Sequence, residues 1–317
     1  MIQHPFDAGT LPLCLPARLP VTLGTGVTRE RGQLACLRER AKLTLRARWQ
    51  NGLTRRWLGV LNSSPFLGQM AHSAPQLVHK VYRPYLTNTL CAERRLRALE
   101  QHYSFVISRG LEQLSLQAAR APLELCAFEG KCSTVYTVCL RAVAPMEREG
   151  ELVLQLRQGA VVLYSVAFSF FGEVGEHAVN IGCLQGGRGP EANELMRAST
   201  RALHGMRPKN LLVGLVRQIG HDLGCSHVHM VGNHNLVVHS ALRQGKVSAN
   251  YDQSWLELGA AARADGDFEL DCRPLADPAF EKVEAKRRSE ARKRHALCVQ
   301  VYAAVSQRLR GAEPAQG

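Results

Sequence analysis

The chain has no C-x-x-C pair anywhere in its 317 residues. Its ten cysteines, Cys14, Cys36, Cys91, Cys126, Cys132, Cys139, Cys183, Cys225, Cys272 and Cys298, are scattered. Zinc ribbons and thioredoxin-like centres therefore lack their spacing. In a chain of this size such thiols read as small apolar residues kept reduced in a cytosol. Long apolar runs are missing too. Ala160 to Phe171 is broken by Tyr164, Ser165 and Ser169, and a membrane-spanning helix needs about 20 apolar residues. The N-terminus has no basic stretch and carries Pro5, Pro12, Pro16 and Pro20, so it does not read as a secretory signal. Aromatic residues are scarce at 6%. With no helix-turn-helix or RNP signature, only charge speaks for nucleic acid as a partner, and it is not favoured. A G-x-S-x-G elbow is absent, which leaves a Ser–His–Asp nucleophile unsupported. Lysine supplies only 8 of the 40 basic residues.

What is present is arginine and an ordinary globular composition. Forty Lys and Arg against 27 Asp and Glu give +13. Such a charge suits an anionic surface or a polyanion, and guanidinium is the better fork for phosphate and carboxylate. The expected localisation is cytoplasmic, peripheral at the inner membrane if basic segments adsorb there.

Four regions are expected. Residues 1–60 form an irregular arm and a basic helix, residues 61–120 a helical region, residues 121–310 an α/β core, and residues 311–317 a disordered tail. From Arg29 to Leu61 the pattern is helical. Leu34, Leu37, Ala41, Leu45 and Arg48 share a stripe, with Arg38, Arg40, Lys42 and Arg46 mostly elsewhere. The simpler expectation is a stripe packed inward beneath a solvated basic face; the alternative is a helix lying on an anionic surface. Asn62-Ser63-Ser64-Pro65 predicts a turn and helix start. Helices are expected over 66–80, 88–103 and 104–118. Strands follow over 123–129, 133–143, 151–157, 161–170 and 177–184, joined by short turns that favour an antiparallel meander.

After the meander come a strand, the loop Gln185-Gly186-Gly187-Arg188-Gly189, a helix opened by Pro190, a second opened by Pro208 and closed by Gly224, and a strand over 227–231. A short helix over 250–258, a turn and strand over 266–270 and a basic helix over 279–309 complete the chain. Within the last, Glu284/Arg288 and Glu290/Arg294 have the spacing of ion pairs. The fold class is α/β (α+β): a helical N-terminal region, then a mixed, largely antiparallel sheet with a strand–Gly-rich loop–helix–helix–strand unit.

Several blocks carry a family resemblance. "IGCLQG", "ALHGMRPKNLL", "YDQSWLELG" and "KRRSEARKRHAL", with "HYSFV" earlier, are similar in content and order to blocks of the VirK/YbjX family of bacterial proteins. The resemblance covers roughly residues 60–305, and the Leu203–Leu212 block is the most specific part. It implies no established reaction and no catalytic residues to carry over. It implies links to virulence, surface-protein localisation and resistance to antimicrobial peptides.

Four clusters have chemical potential. The loop Gln185, Gly186, Gly187, Arg188 and Gly189 joins a strand to a helix N-terminus, a recipe for anion binding. It resembles the Q-x-x-G-x-G/A pyrophosphate loop of GNAT acyltransferases, with Arg188 in place of the first glycine and Glu191 opposing an anion. The structural alternative is a tight strand-to-helix turn. The histidines 221, 227, 229, 234 and 239 with Cys225 contain ligand types for Zn²⁺, but no acidic ligand sits at a telling offset and no metal is assigned. Asn233 and His234 at a strand end, with Tyr251 and Asp252 downstream, could assemble a general base and an orienting amide; capping is the structural alternative. Arg207 and Lys209 flank a helix corner and could meet an acidic group. The leading expectation is a GNAT-like acyltransferase with an acyl-CoA or acyl-carrier donor, acting on an envelope component. The alternative is a non-enzymatic basic protein that binds anionic lipid or a protein partner.

Overall fold

The computed structural model describes residues 19–27, 33–172, 175–187, 190–237 and 250–311. Expectations for most of the N-terminal arm, for Arg188, Gly189 and His239, and for the tail beyond Gly311 lie outside the described residues.

Five helices come first: α1 (Gln33–Trp49), α2 (Asn51–Leu61), α3 (Pro65–Ser73), α4 (Ala92–Ser108) and α5 (Glu112–Arg120). The start of α3 is set locally. The Ser64 hydroxyl accepts from the Leu67 N–H at 3.2 Å, and Pro65 occupies the first turn. The helix expected over 66–80 stops at Ser73. Pro75 cannot donate to the helical ladder, and a 3₁₀ segment, Pro75–Tyr82, follows.

The sheet then forms from β1 (Leu123–Glu129), β2 (Val135–Ala142), β3 (Leu152–Gln158), β4 (Val161–Phe170) and β5 (Ala178–Gly186). Next come α6 (Pro190–Ala202), α7 (Pro208–Asp222), β6 (His227–Met230), α8 (Tyr251–Glu257), β7 (Ala261–Ala262), β8 (Phe268–Asp271) and α9 (Ala285–Arg310). The eight strands lie in the order β1-β2-β3-β4-β5-β6-β8-β7. Every neighbouring pair is antiparallel except β5–β6, which is parallel and bridged in sequence by α6 and α7. The fold is mixed α/β with a largely antiparallel sheet. Two-residue β7 is too short to leave a periodic signal.

Residues 152–156 of β3 are all buried, so both faces of that strand are covered. One apolar cluster runs from Trp57 and Leu77 through Leu99 and Val106 to Val153 and Leu154 in β3, and on to Leu215 in α7 and Val305 in α9. Two buried tryptophans anchor it, and both indoles are satisfied: Trp57 Nε1 donates to Leu77 O at 3.1 Å, and Trp255 Nε1 to Val231 O at 3.0 Å.

The N-terminal helical part meets the sheet through a buried polar strut. Lys80 Nζ donates to a Glu151 carboxylate oxygen and to Gly150 O. Tyr103 donates to the other Glu151 oxygen at 2.5 Å, and Tyr85 and Ser169 share a bond at 2.6 Å. Burial pushes the Glu151 carboxyl up, but the Lys80 charge, His102 and the hydrogen bonds from Lys80 and Tyr103 together hold it below its ordinary value.

Three sequence expectations are corrected here. The α1 stripe faces outward: Leu43 and Ala47 pack inward, while Leu34, Leu37 and Leu45 are exposed. The C-terminal helix begins at Ala285, after a short 3₁₀ turn, Phe280–Lys282. The expected Glu284/Arg288 and Glu290/Arg294 pairs do not form. Glu284 meets Lys286 and Arg287, and Glu290 meets Lys131 and His204. Arg288 instead donates to the carbonyls of Phe280 and Val283, which fastens the turn to the helix.

Candidate functional site

The parallel pair β5–β6 ends early. Its last registered residues are Ile181 and Met230, followed by one bond from Val231 N to Ile181 O at 3.1 Å. β5 continues to Gly186 without β6 beside it. Tyr251 of α8 takes up that edge. Its hydroxyl donates to Leu184 O at 2.6 Å and accepts from Leu184 N at 3.1 Å. Burial drives the phenol far above its ordinary pKa.

The described part of the Gly-rich loop has its own packing demands. A Cβ on Gly186 would lie 2.9 Å from the Tyr164 ring, and one on Gly187 would lie 2.8 Å from Ala192 Cβ. Gln185 and Gly187 are exposed. Glu191 stands in the first turn of α6.

Asn233, Tyr251 and Asp252 come together as a capping network. Asp252 Oδ1 accepts from Asn233 N at 2.7 Å, and Asn233 Oδ1 accepts from Tyr251 N at 2.8 Å. Asn250 caps α8 by accepting from Gln253 N at 3.1 Å and also accepts from Asn233 Nδ2. His234 is exposed in the turn after β6, and its carbonyl accepts from Asn88 Nδ2 at 2.9 Å.

The histidines disperse. His221 pairs with Asp222 at 3.3 Å at the end of α7. His227 and His229 stack at 6.2 Å on one face of β6, opposite Asp271 and Glu269 of β8. His229 Nε2 lies 2.9 Å from Glu269 Oε2, which also receives Arg263 Nη1 at 2.5 Å. Burial and the Arg263 charge hold the His229 imidazole below its ordinary pKa despite Glu269. Burial pushes the Cys225 thiol up to about 12, the wrong direction for a thiolate ligand. Among the described residues no three His, Cys, Asp or Glu side chains gather as a metal set. At the helix corner, Arg207 and Lys209 both reach Glu257 of α8, at 3.1 and 3.2 Å, so their acidic group is internal.

A cleft of about 810 Å³ opens between α4 and the β5–β6–β8 edge. Arg94, Arg97 and Gln101 come from α4, Asn180 from β5, His229 and Met230 from β6, and Arg263 and Asp267 from the far side. Asp267 accepts from Gly232 N and Asn235 Nδ2, both at 2.9 Å, and burial raises its carboxyl. This cleft is not among the clusters expected from the sequence. Arg94 and Arg97, three apart on one helix face, were the available signal; nothing local marks Arg263.

The second exposed feature is the outer face of α1. Leu34, Leu37, Leu45 and Trp49 are 75%, 61%, 61% and 88% exposed. At 3.6 residues per turn they share an arc of about 120°. Arg38 and Arg48 fall within the same arc, and Lys42 and Arg46 flank it. No described helix is long and apolar enough to cross a membrane.

Comparison with known proteins adds the following. The uncharacterized protein YbjX of Escherichia coli K12 is 25% identical over 277 residues, covering 86% of this chain and 84% of that protein. An uncharacterized protein of Haemophilus influenzae is 22% identical over 270 residues, covering 84% and 88% of the two chains. A solved cAMP-binding acyltransferase from Mycobacterium smegmatis is similar at a TM-score of 0.30 and 10% identity, covering 66% of this chain and 61% of that one, less than two thirds of its length. The model of the family described as "Protein of unknown function (DUF535)" matches residues 33–307, nearly the whole chain. The chain belongs to this family, the VirK/YbjX family to which its Leu203–Leu212 block is similar.

Proposed function

We propose that the protein works as a cytoplasmic, peripheral protein that seats α1 on an anionic lipid surface at the inner membrane. The observation that carries this reading is the outward arc of Leu34, Leu37, Leu45 and Trp49 with arginines among and beside it. A solvent-facing helix that exposes leucine and tryptophan is costly in water. Laid in a headgroup layer, the apolar side chains are buried and the guanidinium groups meet phosphate. Glu39 is the one acid of α1, against Arg38, Arg40, Lys42, Arg46 and Arg48. Each basic residue near such a surface contributes about 1 kcal/mol at low salt. The basic run of α9 supports the reading less, because Arg288 and Arg294 are spent on backbone carbonyls. An envelope-facing role also fits the phenotypes implied by the family resemblance.

Vesicle co-sedimentation tests it. Vesicles with 30% phosphatidylglycerol should capture the protein at about 50 mM salt and release much of it near 500 mM. Leu37→Glu with Trp49→Glu should abolish capture without lowering the melting temperature. Equal capture of the double variant would sink the reading.

A second reading, acyl transfer, is favoured by the divergence of β5 from β6. The Leu184 N–H and C=O, now taken by the Tyr251 hydroxyl, are the pair an extended amide such as pantetheine would use. In that reading Gln185, Gly186, Gly187, Arg188 and Gly189 hold the pyrophosphate of an acyl-CoA or the phosphate of an acyl carrier. His234 or Asp252 deprotonates an envelope acceptor, Asn233 orients it, and Tyr251 withdraws. Thermal-shift titration with acyl-CoA decides it: a donor at about 100 times its Kd stabilises by roughly 2.7 kcal/mol. No shift with any thioester, in the native chain or in Tyr251→Ala, would exclude coenzyme A as the donor.

A further inference from the structure

The cleft beside α4 is neither the α1 face nor the β5–α6 loop, and its chemistry is distinctive. Its volume, about 810 Å³, is within the range of small-molecule sites. One wall is apolar, formed by Leu90, Phe171, Met230 and Val231. The other carries Arg94 and Arg97, both exposed on α4.

Among the described residues these two arginines have no carboxylate partner, for a structural reason. The acids nearest them on the helix are Glu93 and Glu100, and both are engaged by Arg56 of α2. Arg56 meets Glu93 at 3.8 Å and forms a two-pronged bond with Glu100. Across the cleft each charged group has an internal partner, and acids outnumber the one arginine. Arg263 is held by Asp265 and Glu269, and Asp267 is held by Gly232 N and Asn235. Among the described residues, the rim therefore presents two unneutralised guanidinium groups above an apolar wall. The cleft floor also holds a strained residue. Leu86 sits at φ 57, an uncommon conformation for a leucine, and is fastened by its N–H to Arg148 O at 2.7 Å.

We propose that this cleft binds a small amphiphile with one phosphate or carboxylate head. The head lies on Arg94 and Arg97, and the apolar part lies over Leu90, Phe171, Met230 and Val231. Two adjacent guanidinium groups suit a forked anion, and the apolar wall gives no return to a fully hydrated one. The proposal stands or falls separately from membrane docking by α1.

The test is calorimetric titration of the full chain with dodecyl phosphate and dodecanoate below their micelle concentrations. Inorganic phosphate and uncharged decanol are the controls. Three variants accompany it: Arg94→Glu with Arg97→Glu, Met230→Gln, and the α1 variant Leu37→Glu with Trp49→Glu. One saturable site for the anionic amphiphiles is expected, with inorganic phosphate and decanol each at least about tenfold weaker. Arg94→Glu/Arg97→Glu should weaken the amphiphiles about 30-fold or more, in line with the loss of charge-assisted bonds. The arginine positions are exposed, so that variant should melt as the native chain does; Met230→Gln should weaken the amphiphiles and leave inorganic phosphate unchanged. The α1 variant should bind as the native chain does. Unaltered affinity in Arg94→Glu/Arg97→Glu overturns the proposal. So does inorganic phosphate binding as tightly as dodecyl phosphate, or loss of binding in the α1 variant, which would place the amphiphile on α1.

Discussion

The Tyr251 hydroxyl satisfies both backbone groups of Leu184, at 2.6 and 3.1 Å, across 67 residues of chain. A strand edge that would otherwise be buried without partners is closed by one phenol. Tyr251→Phe keeps the ring and strands both backbone groups. It should cost about 2–3 kcal/mol in urea denaturation, the penalty for buried unsatisfied groups. A cost below about 0.5 kcal/mol would mean that the edge finds other partners.

Leu43 and Leu45 are two residues apart on α1 and face opposite ways. Leu43 is 2% exposed and Leu45 is 61% exposed. Leu43→Ala should lose about 2–5 kcal/mol, and Leu45→Ala should stay within about 0.5 kcal/mol. Chemical denaturation of the two variants compares them directly. The reverse ranking would mean that α1 turns its other face to the core.

His102 makes acid stability a local question. Its Nδ1 accepts from Phe170 N at 3.1 Å, and burial lowers its pKa from 6.5 to about 4. The folded chain holds it neutral while the unfolded chain binds a proton. Its contribution is therefore complete above pH 6.5 and declines as pH falls toward 4. The loss should approach about 3 kcal/mol, from 1.36 kcal/mol per pKa unit. Glu151, held low by Lys80, acts with the same sign at still lower pH. Urea midpoints between pH 7.5 and 4.5 should fall in the native chain and fall much less in His102→Gln.

Gly232 follows β6 where two chain segments nearly touch. A Cβ there would lie 2.0 Å from Gly266 O and 3.3 Å from Asp252 Oδ1. Gly232→Ala must move backbone, and a loss of about 2 kcal/mol or more is expected by thermal or urea melting. The same variant should weaken the Asn233–Asp252 bond that holds α8 against the turn. Faster amide exchange at Asn233 would register it.

Some of this was legible because the signals act over a few residues. Ser64-Pro65, Pro190 and Pro208 start helices where the sequence predicts, and Gly224 closes α7 at φ 79. The strands show themselves by alternation and by Gly-marked turns, and the strand–loop–helix–helix–strand unit follows from their order. The capping partnership of Asn233, Tyr251 and Asp252 was visible only as proximity in residue type. It took the fold to bring positions 233 and 252 within 2.7 Å.

By itself, then, the amino-acid order determined the proline-marked helix starts, the meander, the crossover and the family. Each depends on backbone preferences and short-range periodicity that a segment carries alone. Tertiary structure decided which way α1 faces, because Leu43 rather than Leu45 found a neighbour to pack on. It decided that Glu93 and Glu100 go to Arg56, leaving Arg94 and Arg97 to the cleft. It joined Lys80 to Glu151 and Tyr251 to Leu184. A side chain's partner is set by what the rest of the chain places beside it, and pairings across 67 or 71 residues leave no mark on either neighbourhood.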